Sequence, residues 1–186
     1  METFEEARPL TDDPAYDTER QIAQAGLRAA MGDGSIDPPL IGLLWEFSLV
    51  PHCFTLQSCY GHFVHERQPE LHNLEPLADY ADTLSDVLYR IAYLAVCIRK
   101  SEAGRALQRD LRSVAAIDPP YIQHGSAGWF WEQRINTYVL QVEPARCRLQ
   151  DTCPVGISEA LRLEQIRDRF FHELLMIARR HRSREG

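Results

Sequence analysis

The sequence predicts an α+β domain, with a mixed β-sheet packed by helices and a long helix at the C-terminus. Three observations carry this. After Ser158, the residues Leu163, Ile166, Phe170, Leu174 and Ile177 recur at helical spacing. Thr137-Tyr138-Val139-Leu140-Gln141-Val142 reads as a strand, as does the alternating Phe54-Thr55-Leu56-Gln57-Ser58. The order of elements is not a regular βαβ series, which separates α+β from a parallel α/β fold.

Taken in order, residues 1–13 form an acidic tail expected to be poorly ordered, and 14–186 a single domain. A first helix runs from Pro14 to about Met31 on Ile22, Ala25 or Gly26, Ala29 and Ala30, and Gly32-Asp33-Gly34 ends it. Asp37 is placed as an N-cap with Pro38 at the first helical position. Leu40, Leu43, Leu44 and Phe47 form that helix's apolar stripe, and Pro51 closes it. Phe54 to His65 reads as a bent strand or a strand-turn-strand broken at Gly61. Pro76 to about Leu88 reads as a helix, with Leu77, Tyr80, Ala81, Leu84 and Val87 on one face. Ile91 to Ile98 is apolar on every side, and periodicity alone leaves strand and helix open. The continuity typical of a buried strand, with Ser101 as a fresh N-cap, favours the strand. Ala103, Ala106, Leu107, Leu111 and Val114 then mark an amphipathic helix stopped by Pro119-Pro120. Tyr121 to His124 starts a strand, Gly125-Ser126-Ala127-Gly128 is a turn, and Trp129 to Glu132 is a further strand.

A chain of 186 residues fits one domain and buries roughly 70% of its unfolded surface. No apolar run approaches the roughly 18 residues of a membrane span, so no membrane partner is expected. The start, Met1-Glu2-Thr3-Phe4-Glu5-Glu6, is acidic where a signal peptide is basic and then apolar, and a cytoplasmic location is expected. Five cysteines, odd in number and unevenly spaced, argue against a disulfide framework. The net charge of −7 argues against a tRNA partner, since phosphate-gripping surfaces are basic. The candidate patch is Arg179-Arg180-His181-Arg182-Arg184, and cations in a helix's last turn are also what its dipole favours. Nothing in the sequence sets an oligomeric state.

Chemistry concentrates between His52 and His72, which holds four of the seven histidines and two of the five cysteines. Thiolate and imidazole are zinc's usual ligands. Along a strand, however, Cys59 and His65 share a face while His62 points away, so no zinc site is assigned. Cys59 beside His62 or His65 is a candidate activated thiol, with Cys59 and His62 as the catalytic pair. Ser58, Gly61 and the turn amides are candidate ligand contacts. His65, His124, Trp129 and Trp131 are placed along the wall of the same site, the tryptophans as stacking rings.

Gly34-Ser35-Ile36-Asp37, an apolar helix, and then Phe54-Thr55-Leu56-Gln57-Ser58-Cys59-Tyr60-Gly61-His62 resemble the N-terminal part of the tRNA wybutosine-synthesizing protein 3 family. Asn136 to Val142 resembles that family's later strand, so two pieces covering about half the chain carry the likeness. Ser58, Cys59 and Gly61 match the family's pattern, while Gln57 stands where it has serine and His62 where it has arginine. The resemblance implies a mixed-sheet α/β-type fold and a S-adenosylmethionine-dependent transfer to a nucleotide or small molecule. The alternative is a non-catalytic ligand- or metal-binding protein on the same fold.

Overall fold

The structure, a computed structural model, describes residues 4–147 and 151–183. It is α+β. Helices α1 (Tyr16–Asp33), α2 (Ile41–Ser48), α3 (Glu102–Val114), α4 (Gly128–Gln133) and α5 (Ile157–Arg182) alternate irregularly with strands. The strands are β1 (Phe4–Glu5), β2 (Cys53–Cys59), β3 (His62–Val64), β4 (Asp86–Arg90), β5 (Ala92–Ile98), β6 (Ile122–Ala127), β7 (Thr137–Val142) and β8 (Thr152–Gly156).

The strands form two sheets rather than one mixed sheet, with orders β1-β6-β7-β5-β2 and β3-β4-β8. Every pairing among the described strands is antiparallel. Parallel neighbours need a crossover that returns the chain to the same end of the sheet. Here the short α4 simply reverses the chain between β6 and β7.

The large sheet is covered on both sides. Leu94, Val96 and Ile98 of β5 and Tyr138, Leu140 and Val142 of β7 share a core with Phe47, Leu107, Leu111, Phe170 and Leu174 from α2, α3 and α5. On the other side Ala95 and Val139 meet Phe130 of α4, and Cys97 and Phe54 meet Tyr16 of α1. Burial on both faces explains the unbroken apolar run of Ala92–Ile98. Ser101 caps α3 as expected, accepting from the Gly104 amide at 2.9 Å.

Several expectations are overturned. Leu77–Asp79 is one 3-10 turn and Asp86–Arg90 is strand β4, so 76–88 is not a helix. Leu77, Leu84 and Val87 are buried, but by separate contacts, and Val87 and Tyr89 alternate inward along a strand. Gly125, Ser126 and Ala127 finish β6 instead of turning, because β1 and β7 pair with them. Trp129 and Trp131 lie in helix α4, not on a strand. Cys147 and Cys153 are joined by a disulfide, with Cα atoms 5.7 Å apart, where none was expected. The pairing of β8 with β4 carries Cys153 into the core, and the short 3-10 turn Ala145–Cys147 meets it there.

Of the acidic N-terminal segment, expected to be loose, residues 4–11 are tied to the large sheet, and residues 1–3 lie outside the described residues. Phe4 and Glu5 pair with Ala127 and Ser126, and the Arg8 amide donates to Ser126 Oγ at 3.1 Å. The Thr11 amide donates to Asn136 Oδ1 at 2.8 Å, and the Tyr138 hydroxyl donates to the Arg8 carbonyl at 2.8 Å. Among the described residues no helix is long and apolar enough to cross a membrane.

What positions the site is a double bend. The strand β2 becomes β3 across Tyr60-Gly61, and β4 becomes β5 across Ile91. Cys59 pairs with Tyr93 and His62 with Arg90, so the bends lie face to face. Gly61 has φ 87°, and a Cβ there would lie 2.7 Å from the Cβ of the buried Ala92. Glycine answers both demands, a left-handed backbone and no side chain.

Candidate functional site

Asp37 was placed as an N-cap, yet its side chain does not cap its own helix. It reaches across to the bend, where Oδ2 accepts the Tyr60 amide at 2.8 Å and stands 3.3 Å from His62 Nε2. Residues far apart in sequence are thereby joined at the seam between the two sheets.

His62 is fully buried. Its Nδ1 lies 3.2 Å from the Asn73 carbonyl, which can only accept, so Nδ1 carries a proton and Nε2 faces Asp37. Asn73 is itself held, its Nδ2 donating to the Phe63 carbonyl at 3.2 Å. Burial pulls the His62 imidazole down, but the Asp37 carboxylate and the Cys59 thiol within hydrogen-bonding reach outweigh it and hold the ring up at about 9. Burial also pushes the Asp37 carboxyl up, and the pairing with His62 and the hydrogen bond from the Tyr60 amide more than reverse that, leaving it below the usual carboxylate range. At neutral pH the pair is therefore an imidazolium facing a carboxylate. Such a histidine donates a proton or holds an anion, and does not act as a base.

The far side of the bend is supplied by α5. Buried Arg167 donates to the Gly61 carbonyl at 3.1 Å and pairs with Asp168 at 2.8 Å. Its guanidinium lies 4.3 Å from the Tyr60 ring centre, and Tyr60 also stacks on Phe171 at 5.1 Å. Where the resemblance puts an arginine within the turn, this chain has His62 there and a guanidinium from another helix against the turn's carbonyl.

The expected site residues divide into two groups. Ser58, Cys59, Gly61 and His62 lie at the bend, with Ser58 and Cys59 half-buried and facing β5 as partners of Leu94 and Tyr93. Because the strand breaks after Cys59, His62 turns back toward the thiol instead of away from it. His65 is buried beyond β3, tilted against Tyr80, and both of its ring nitrogens lack a hydrogen bond.

His124, Trp129 and Trp131 do not join that wall. Two strands separate β6 from β2, so at roughly 4.8 Å per strand His124 lies about 14 Å from Ser58 in the same row. His124 stacks on Tyr138 at 5.9 Å, Trp131 meets the same ring edge-on at 5.8 Å, and the Arg8 guanidinium lies 5.3 Å from Trp131. Trp129 is 51% exposed on α4. Burial, with help from Arg112, depresses the His124 imidazole to about 4.

Sequence reasoning missed Asp37 as a site residue, counted His72 in the polar cluster without giving it a role, and missed Arg167 altogether. Asp37, His62 and His72 place one ligand atom each within 4.8 Å of one another. A sequence signal existed for Asp37, since it belongs to the first quoted motif piece. For His72 the signal was its place at the end of the His/Cys-rich segment, and nothing along the chain showed that its irregular loop returns to the bend.

No model of a known protein family matches the chain, and no curated protein matches it. Among solved structures it is similar to the PH1069 protein from Pyrococcus horikoshii. One structure of that protein has a TM-score of 0.53 at 16% identity, covering 89% of this chain and 92% of the other. A second, from strain OT3, has a TM-score of 0.52 at 16% identity, covering 90% and 93%. At that identity the likeness speaks for the shared fold.

Proposed function

We propose that the chain is a transferase acting on a nucleotide or small molecule, with the bend at Asp37, Cys59 and His62 as its acceptor site. A single observation carries the reading. The Gly-Ser-x-Asp and Ser-Cys-x-Gly pieces, distant in sequence, meet through the 2.8 Å bond from the Tyr60 amide to Asp37. Asp37 holds the His62 imidazolium beneath the bend, where its charge favours an anionic group of the acceptor. Cys59, half-buried beside it, lines the approach.

The resemblance implies S-adenosylmethionine as donor, and the bend itself does not fit it. A Cβ at Gly61 already meets Ala92, so the missing side chain makes room for β5 and not for a ligand. The Tyr60 ring at the bend is taken by Phe171 and Arg167. No step is assigned through the donor.

The test is thermal unfolding with S-adenosylmethionine, with S-adenosylhomocysteine and with ATP as control. A ligand bound by the folded state alone raises the midpoint. The reading expects a rise with the first two and not with ATP. It also expects His62→Gln to keep that rise while abolishing transfer of labelled methyl groups to a cell extract. Absence of any rise overturns the methyl-transfer reading.

A further inference from the structure

We propose that Asp37, His62 and His72 form a binding site for a divalent transition-metal ion of the zinc class. It shares Asp37 and His62 with the proposed acceptor site but rests on side-chain placement alone, and an ion bound there would take the place of the His62 Nε2 proton.

Three donor atoms converge, one from a carboxylate and two from imidazoles, all within 4.8 Å of one another. Ligands about 2.0–2.2 Å from a tetrahedral ion stand about 3.3–3.6 Å apart. The Asp37 Oδ2 to His62 Nε2 distance is already 3.3 Å. The His62 ring is wholly buried, and its Nε2 pairs with Asp37 across 3.3 Å without meeting hydrogen-bond geometry. A cation held between the two groups in place of the Nε2 proton would satisfy both with better geometry.

The surroundings have the form of a metal centre. Ligating histidines characteristically donate the other ring N–H to a carbonyl or carboxylate, which orients the ring. Here His62 Nδ1 faces the Asn73 carbonyl at 3.2 Å. The Tyr60 amide holds Asp37 in the same way, at 2.8 Å. Asn73, pinned to the Phe63 carbonyl, carries its neighbour His72 to the site, where the His72 ring meets that of His62 edge-on at 5.2 Å. The ligands are graded from buried His62 through Asp37 to exposed His72, so an ion has a route in and His72 closes over it. Three protein ligands leave a coordination position open, as in catalytic zinc sites and not in structural ones. One oxygen and two imidazole nitrogens, without thiolate, suit zinc, cobalt or nickel above magnesium or calcium. This also differs from the combination considered on sequence alone, Cys59 with His62 and His65.

The experiment titrates the full chain, freed of metal by chelator, with Co²⁺ and then displaces it with Zn²⁺. The expected result is one equivalent bound, with the weak visible bands of oxygen and nitrogen coordination and no thiolate charge-transfer band. His72→Ala is the informative variant, because the residue is exposed and its loss leaves the fold intact. It is expected to weaken Co²⁺ binding at least about tenfold, while Cys59→Ser leaves it unchanged. Failure of the wild-type chain to bind stoichiometric Co²⁺, His72→Ala binding as tightly as wild type, or loss of binding in Cys59→Ser would each overturn the proposal. A S-adenosylmethionine shift without Co²⁺ binding, or the reverse, separates the fate of this site from that of the transferase reading.

Discussion

Gly61→Ala should be among the most damaging single-methyl additions in the chain. At φ 87° an L-alanine is strained by about 1–2 kcal/mol. Its Cβ would also stand 2.7 Å from Ala92 Cβ, 3.1 Å from Ala92 N and 3.2 Å from Ala92 Cα. Ala92 cannot retreat easily, because its amide is held by the Tyr89 hydroxyl at 3.0 Å and it is fully buried in β5. Overpacking of this kind adds about 1–3 kcal/mol, and the stiffer unfolded chain returns up to about 1 kcal/mol. The net expectation is a loss of about 3 kcal/mol, which for a domain of this size lowers Tm by about 6–12 °C. Urea unfolding followed by circular dichroism measures it. Gly34→Ala is the internal control, since Gly34 also has positive φ, 75°, but nothing lies within 4 Å of its Cβ position. It should show the backbone strain alone, so the difference between the two variants isolates the contact. Adding Ala92→Gly to Gly61→Ala removes the shortest contact and should recover about 1 kcal/mol beyond additivity. If the two glycine variants cost the same and the double mutant is additive, the nested-bend account is wrong.

Four further expectations follow. His124, held down near 4 against an ordinary 6.5, leaves the extra proton on the unfolded chain between those values, so stability should fall as pH drops through that window. The loss reaches about 3 kcal/mol at most, and acid unfolding of His124→Phe should lack that slope. Ser101→Ala should cost about 1 kcal/mol in urea unfolding through loss of the α3 cap, and no cost would mean that another group serves the Gly104 amide. Cys59→Ser should move stability by less than about 1 kcal/mol, because the thiol is only half-buried; a larger loss would make Cys59 a core residue. RNA binding, measured by filter retention, should be weak and salt-sensitive, since Arg179 and Arg182 already pair with Glu46 and Arg180 with Asp110; tight tRNA retention at physiological salt contradicts this.

The parts of the fold legible in sequence are those where one local pattern dictates one answer. β5 is apolar because both its faces are covered, and α5 shows its stripe because one face meets the core. The errors arise where a pattern had two causes. Leu77 and Leu84 are spaced like a helix face but are buried by a turn and a loop before β4 begins. Trp129, Phe130 and Trp131 have strand-like composition, yet Gly128 opens a short helix in which Phe130 packs inward. At the site, the coincidence of Ser58, Cys59, Gly61 and His62 was readable because they are contiguous. The Asp37 contact and the approach of His72 were not, since polar long-range partners leave no periodic trace. Trp131 and His124 were assigned to the wrong neighbourhood because strand order, which puts β7 and β5 between them and β2, is invisible to a reading along the chain.

The C-terminal helix also dictates the sequence of events as the chain emerges during synthesis. The strand β4 has β3 beside it early, but its other neighbour, β8, is made only after β5, β6 and β7. Helix α5 follows at once and supplies Phe170, Leu174 and Ile177 to the common core and Arg167 to the Gly61 carbonyl. Until α5 arrives, the core face of the large sheet is covered by α2 and α3 alone, and the Gly61 carbonyl lacks the Arg167 guanidinium. Neither sheet has its full set of partners before α5 is made. The site at their seam is completed in the same late step that completes the domain.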